Sequence, residues 1–136
     1  MGVWTGLVMP SVLTPLANNT PGVITTLVGA GNPFVSQIEV QAPYTGLVPT
    51  QLDFIVKARR STGGNATISI EMYDGTNYQT VWPQTPLTGT FVQYTGVGNP
   101  GYLFNNTVQA RVTIRQVGFF AFFMITQLDE AYWEIQ

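Results

Sequence analysis

The alternation of apolar and polar residues between glycines and prolines is the feature that most constrains this chain. Apolar residues occupy every second position along residues 67–72, and the same alternation runs through residues 108–115. A period of two places alternate side chains on one face of a β-strand. No stretch of a dozen residues keeps a helical period without an interrupting Gly or Pro. The sequence therefore predicts a chain of strands and turns.

The strand-like stretches recur at a regular spacing. Val, Ile, Thr, Phe and Tyr cluster in short runs that Gly, Pro and Asn separate. The Asp74-Gly75 pair between two such runs is a strong hairpin signal. About eight to ten strands, repeating every ~8–12 residues, favour a single antiparallel sandwich or barrel.

Alternation also assigns the faces of the clearest strand, residues 108–115. One face of this strand carries Val108, Ala110, Val112 and Ile114, and the other carries Gln109, Arg111, Thr113 and Arg115. Since apolar side chains pack inward, we expect the first set in the core and the second on an outer face.

Residues 1–33 differ from the rest of the chain. Trp4 and Leu7 are apolar, but Pro10, Pro15 and Pro21 keep the backbone irregular. The segment is either an extended arm or edge segment, or a tucked first strand of the domain. Regular alternation begins at residue 34, so we predict an N-terminal segment of residues 1–33 followed by a sandwich domain of residues 34–136.

The composition argues against catalysis. The chain has 136 residues, one domain in length, and contains neither cysteine nor histidine. Disulfides, thiolate metal sites and the commonest general base are therefore absent. Seven acidic residues place some pair close together by chance, and Asp74 is explained as a turn residue. We predict that the protein is not an enzyme and needs no cofactor.

A calcium site is the alternative interpretation of the acidic residues. Loop oxygens of sandwich modules bind Ca²⁺, and Asp74, Asp129 and Glu130 are candidates. The alternating Asp spacing of a calcium loop is missing, so solvated loop carboxylates are the favoured interpretation and no metal is predicted.

Charge is scarce and argues against nucleic-acid binding. Only 9% of the residues are charged, the formal net charge is −2, and the five basic residues form no long run. A surface of Thr, Asn, Gln and Gly suits a protein built into an assembly or exposed outside cells. The N-terminus has no basic region typical of a signal peptide, so we expect none.

A phenylalanine-rich run suggests an interface. Residues 117–125 include four phenylalanines within five positions, too few apolar residues for a membrane span of about 20. The run lacks alternation, so both faces should be covered by protein: one by the core, and the other by the opposite sheet's edge, the N-terminal arm or another subunit. We predict a homo-oligomeric interface of Trp4, Leu7, Phe119, Phe120, Phe122, Phe123 and Trp133.

The order of the strands resembles a known family of sandwiches. A Leu-Asp-Phe-Ile-Val strand, a Gly-rich loop, an Ile-Ser-Ile-Glu strand and an Asp-Gly turn follow one another in residues 51–80. Ala-Arg-Val-Thr-Ile-Arg then precedes two further apolar strands. This pattern over about residues 34–136 resembles the jelly-roll β-sandwich of galactose-binding-like and carbohydrate-binding modules. The same fold resembles that of bacteriophage capsid decoration (cement) proteins and tail appendages.

The resemblance implies a structural virion protein. Such a protein is made in the host cytoplasm, decorates the capsid as a homotrimer, and binds the major capsid protein or another virion protein by burying surface. The alternative is a carbohydrate-binding module or receptor-binding appendage, with a sugar platform of Asp74, Tyr78 and Trp82. Both aromatic residues flank the Asp74 turn and offer stacking faces, although aromatic residues also dominate cores and interfaces. We expect no nucleic-acid or membrane partner.

Overall fold

Ten β-strands make up most of the part of the chain that the structure describes. The structure is a computed structural model and describes residues 3–5, 12–13, 25–29, 34–62, 65–117 and 124–136. The strands are β1 (Val3–Thr5), β2 (Val12–Leu13), β3 (Thr25–Gly29), β4 (Phe34–Pro43), β5 (Leu52–Thr62), β6 (Asn65–Tyr73), β7 (Tyr78–Pro86), β8 (Val92–Gly98), β9 (Thr107–Val117) and β10 (Met124–Ile135). Within these ranges one 3₁₀ turn, Pro100–Tyr102, is the only helical element, and no helix is long and apolar enough to cross a bilayer.

The strands form two sheets. The first has the order β1-β3-β10-β5-β8, with β2 joined to β10 in parallel, and the second has the order β4-β9-β6-β7. All other neighbours are antiparallel. Strands β3 to β10 alternate between the sheets, except that β6 and β7 pair within the second sheet, and this arrangement is that of a jelly roll. The predicted all-β fold, an antiparallel jelly-roll sandwich of about eight to ten strands, is confirmed.

Strands β1, β2 and β3 come from the N-terminal segment. In the first sheet β3 pairs with β10, and β1 lies beyond it at the edge. The predicted division of the chain after residue 33 stays a prediction. Strand β3 precedes that boundary in the sequence, yet it is part of the first sheet of the sandwich.

The space between the sheets is filled by apolar side chains, as the alternation predicts. The Trp133 and Phe54 rings pack 5.0 Å apart on neighbouring strands of the first sheet. Opposite them the second sheet contributes the inward residues of β6 and β9: Ala66, Ile68, Ile70, Met72, Val108, Ala110, Val112 and Ile114. Full burial of each large side chain contributes about 1.5–3 kcal/mol.

The outer faces of the two sheets differ. On the first sheet Ile55 and its cross-strand neighbour Tyr132 are only 3% and 4% exposed, although neither belongs to the core between the sheets. On the second sheet Gln37, Glu39 and Gln41 of β4 are exposed. Among the described residues, the second sheet therefore offers the more accessible face.

Strand β7 contains a bulge that reverses its faces. Glu71 of β6 pairs with Thr80, but the preceding Ile70 pairs with Trp82, so Val81 is an extra residue. An inserted residue moves the residues beyond it to the opposite face, here as far as a second register shift between Ile68 and Ile70. Trp82 therefore packs against the core, with its ring 5.8 Å from that of Tyr94.

The close approach of β8 to the bulge gives a test of this packing. A Cβ atom on Gly96 would lie 2.6 Å from Cγ2 of Val81 and 3.2 Å from Cγ2 of Ile70. Overpacking of this kind costs about 1–3 kcal/mol, so Gly96→Ala should lower the free energy of unfolding by that amount in urea denaturation. Gly89→Ala is the control because a Cβ there meets nothing within 4 Å. Equal losses in the two variants would contradict the described packing of β7 on β8.

Candidate functional site

A row of uncharged polar and aromatic side chains crosses the outer face of the second sheet. Gln41 of β4 lies opposite Gln109 of β9, and Tyr73 of β6 lies opposite Tyr78 of β7. Nε2 of Gln41 donates to Oε1 of Gln109 at 2.7 Å, and Nε2 of Gln109 donates to the Tyr78 hydroxyl. The two tyrosine rings lie 5.3 Å apart and are tilted by 52°. Hydrogen bonds and ring packing thus fix the positions of these four side chains.

A charged row lies beside the uncharged one. Arg111 of β9 stands between Glu39 of β4 and Glu71 of β6. Its guanidinium carbon lies 3.9 Å from the centroid of the Tyr78 ring, and its Nε lies 3.6 Å from Oε2 of Glu71. The same Oε2 accepts a hydrogen bond of 3.1 Å from Oγ1 of Thr113. The cation is therefore held by one ring and one carboxylate of its own chain.

The Tyr78 hydroxyl remains protonated well beyond neutral pH. Burial raises the pKa of Tyr78 above its ordinary value of 10.0, and Glu39 raises it further through a hydrogen bond with the hydroxyl and through its charge. The hydrogen bond from Gln109 opposes this effect. At physiological pH the hydroxyl therefore carries its proton and can act as a donor.

A cleft of about 250 Å³ opens at the end of the uncharged row. Its walls are Gln41, Tyr73, Tyr102, Phe104, Asn105, Thr107 and Gln109, which give three aromatic rings and several amides. Pockets that enclose a whole drug-sized ligand measure about 300–1,000 Å³. The cleft suits a small ring or the end of a longer ligand that continues over the sheet.

A tight turn presents the Phe104 ring at the rim of this cleft. Phe104 and Thr107 pair across Asn105 and Asn106, whose φ angles of 50° and 57° are left-handed. Asparagine tolerates this conformation better than most residues. A Cβ on Gly75 would lie 2.9 Å from the Phe104 ring, so that ring rests on the β6–β7 turn. The ring is 49% exposed, which is unusual for a large apolar side chain held in place.

Asp74 serves the turn between β6 and β7. Its Oδ1 accepts hydrogen bonds of 2.8 Å from the backbone N–H groups of Thr76 and Asn77, and its Oδ2 accepts one of 2.9 Å from Nε2 of Gln79. These contacts lower the pKa of the Asp74 carboxyl below its ordinary value of 3.8, with Asn77 as the largest cause. The carboxylate orders the turn on which the cleft depends.

The three residues of the predicted sugar platform do not lie on one surface. Tyr78 stands in the uncharged row, and Asp74 adjoins it in the turn, but Trp82 packs on the core side of β7. The prediction placed Tyr78 and Trp82 together because both flank the Asp74 turn, and the bulge at Val81 separates them.

Five of the seven predicted interface residues lie outside the part of the chain that the structure describes. Leu7, Phe119, Phe120, Phe122 and Phe123 lie outside the described residues, and Trp4 is described only as part of β1, opposite Leu27. Trp133 is 1% exposed and packs on Phe54 in the core of its own chain.

The calcium candidates do not form a site among the described residues. The side chains of Asp129 and Glu130 lie outside the described part, and the oxygens of Asp74 are engaged in its turn. Within the ranges described, no three acidic, cysteine or histidine side chains are grouped closely enough to hold a metal ion.

Several residues of the cleft were not singled out from the sequence. Phe104, Gln41 and Tyr73 are the main ones, while Gln109 is predicted only to lie on an outer strand face. The available signal was the Asn105-Asn106 pair directly after Phe104, since adjacent asparagines favour a left-handed turn that exposes its flanking residue.

No protein-family model matches this sequence, and no curated protein is similar to it. Two solved structures are similar to it in fold. A structure of TmCBM61 in complex with β-1,4-galactotriose superposes with a TM-score of 0.58 and 9% identity, over 83% of this chain and 70% of that one. A structure of promiscuous carbohydrate-binding modules from the β-sandwich superfamily gives a TM-score of 0.52 and 12% identity, over 85% and 51% of the two chains.

The likeness to these two structures is one of fold, since the identities are so low. It agrees with the jelly-roll sandwich expected from the sequence. A structure of infectious bursal disease virus gives a TM-score of 0.40 at 16% identity, over 93% of this chain and 37% of that one, a similarity too low to bear on the fold.

The lowered pKa of Asp74 predicts a pH dependence of stability. A carboxyl whose folded pKa lies below its unfolded value stabilises the fold above the unfolded pKa, and this contribution disappears as the pH falls through the folded pKa. The stability difference between the parent and Asp74→Asn should therefore be constant above about pH 5 and shrink below about pH 4. Urea denaturation at a series of pH values measures it. A difference that does not change with pH would contradict the role given to the charge.

Proposed function

We propose that this chain is a non-catalytic carbohydrate-binding module whose ligand lies on the outer face of the second sheet. The observation that carries the proposal is the cleft at the end of the uncharged row, with the exposed Phe104 ring at its rim. Sugars present apolar C–H faces and hydroxyl edges, so a site for them needs flat rings and fixed polar groups together.

The aromatic residues of the cleft supply the flat rings. Tyr73, Tyr102 and Phe104 line it from three elements, and Phe104 rests on Gly75. A rigid ring loses little conformational freedom when a ligand stacks on it, so most of the stacking free energy is retained as affinity.

The glutamines supply the fixed polar groups. A primary amide has two N–H donors, and Gln41 and Gln109 each use one of them within the uncharged row. The second donor of each amide can bind a sugar hydroxyl without disturbing the row. The fold likeness to TmCBM61, solved in complex with β-1,4-galactotriose, also supports the proposal.

A second candidate function is that of a virion decoration protein. The loop between β4 and β5 exposes Leu47 and Val48 almost fully, at 89% and 90%. These two residues border a largely apolar groove of about 420 Å³ that also contacts Tyr44 and Ile135. Exposed apolar surface of this kind marks protein contacts.

In that function the chain would assemble on a capsid by burial of apolar surface. The partners would be further copies of the chain, in a homotrimer, and the major capsid protein. The virion would be its location, reached after synthesis in the host cytoplasm. The groove lies on a different loop from the cleft, so a decoration protein of this design could also bind glycans as a receptor-binding appendage does.

Removal of the Phe104 ring tests the carbohydrate proposal. Phe104→Ala should weaken binding of β-1,4-galactotriose by about tenfold in isothermal titration calorimetry, because a stacking face is lost. Phe91→Ala is the matched control, since this partly exposed ring lies under Arg59 of the first sheet and away from the cleft. A glycan array on which the parent protein retains no sugar would rule the proposal out.

Replacement of the exposed loop residues tests the decoration proposal. The parent should sediment as an oligomer at micromolar concentration, and Leu47→Ser combined with Val48→Ser should shift it toward monomer, because the change removes apolar contact area. Val97→Ser, at a half-exposed position on β8, is the control. A parent that sediments as a monomer at these concentrations contradicts the oligomeric assembly.

A further inference from the structure

We infer that the outer face of the second sheet selects uncharged glycans and rejects anionic ones, because the cation nearest the cleft, Arg111, is paired within the face. The inference rests on the proposed carbohydrate function and concerns the class of sugar that the same site accepts. Three features carry it: the contacts of Arg111, the carboxylates around the site, and the distance to other cations.

Arg111 is committed to its own chain. Its guanidinium lies against the Tyr78 ring at 3.9 Å and its Nε lies 3.6 Å from Glu71. Glu71 is in turn held by hydroxyl donors from Ser69 at 3.2 Å and Thr113 at 3.1 Å. A ligand carboxylate would have to compete with Glu71, which already lies beside the guanidinium.

Carboxylates outnumber cations around the site. Glu39 and Glu71 flank Arg111 in the charged row, and Asp74 follows Tyr73 directly at the turn. The formal charge of this group is −2. The neighbouring rows of a sheet lie about 7 Å apart, so these charges act on a ligand over the uncharged row.

The remaining cations are too distant to compensate. Arg115 lies four residues beyond Arg111 on β9, about 13 Å along the strand and more than a Debye length at physiological salt. Lys57, Arg59 and Arg60 belong to β5 of the first sheet. A ligand carboxylate in the cleft would therefore lose part of its hydration and gain no cation.

A matched pair of ligands tests the inference. The probes are β-1,4-galactotriose and the same trisaccharide oxidised at C6 to the uronate, titrated into the full chain at low and physiological salt. We expect the neutral sugar to bind about tenfold more tightly at low salt, and the ratio to shrink as salt screens the repulsion.

A charge-removing variant assigns the effect to this face. Glu39→Gln removes one carboxylate without breaking the ion pair of Arg111, and it should lower the ratio of neutral to anionic affinity about fivefold. Glu134→Gln is the control, because it makes the same charge change on β10 of the first sheet. This control should leave the ratio as it is in the parent.

The outcomes separate the two proposals. Equal or tighter binding of the uronate, with the neutral sugar still bound, would overturn the charge selection and leave the carbohydrate function standing. A ratio that Glu39→Gln leaves unchanged would also overturn it. If the parent binds neither sugar, nor any other glycan on an array, the carbohydrate function fails and the inference fails with it.

Discussion

The two-sided pairing of strand β9 is the constraint on which the core and the candidate site both depend. β9 pairs with every residue of β4 on one side and with most of β6 on the other. Its inward residues Val108 and Ala110 pack between the sheets, and the alternate residues Gln109 and Arg111 form the middle of the two surface rows. A register slip of one residue would exchange these faces. Stability and recognition are therefore fixed by one set of backbone hydrogen bonds.

A site on paired strands is organised before any ligand arrives. Gln41, Gln109 and Tyr78 stand on three strands, and their spacing follows from the register rather than from a loop conformation. The turns supply only what strands cannot, an aromatic ring that projects beyond the sheet edge. Phe104 is that ring, held by two left-handed asparagines and by contact with Gly75. Folding therefore orders most of the site, and ligand binding would cost little further conformational entropy.

The sequence could predict what depends on local alternation. The faces of β6 and β9, and the jelly-roll sandwich as a whole, follow from period-two patterning and turn residues. The position of Trp82 did not follow, because the bulge at Val81 reverses β7 and is packed against Gly96, a contact between different sheets. Phe104 was missed for a similar reason, since its support comes from Gly75, which is distant in sequence. No local pattern encodes these two contacts, although the Asn105-Asn106 pair marks the turn that exposes Phe104.

The contacts of Arg111 show how a surface with few charged residues can be organised. A cation that packs on a tyrosine ring and pairs with a carboxylate of its own chain positions other groups. The hydrogen bonding that we propose for ligands then falls to neutral amides. Neutral amides and rings lose less hydration free energy on contact than ions do. A surface of this kind can approach a sugar hydroxyl, or the exposed Leu47 and Val48 can approach another protein, without burying an unpaired charge. The low charge inferred from composition thus suits both candidate functions for the same reason: close contact costs little desolvation.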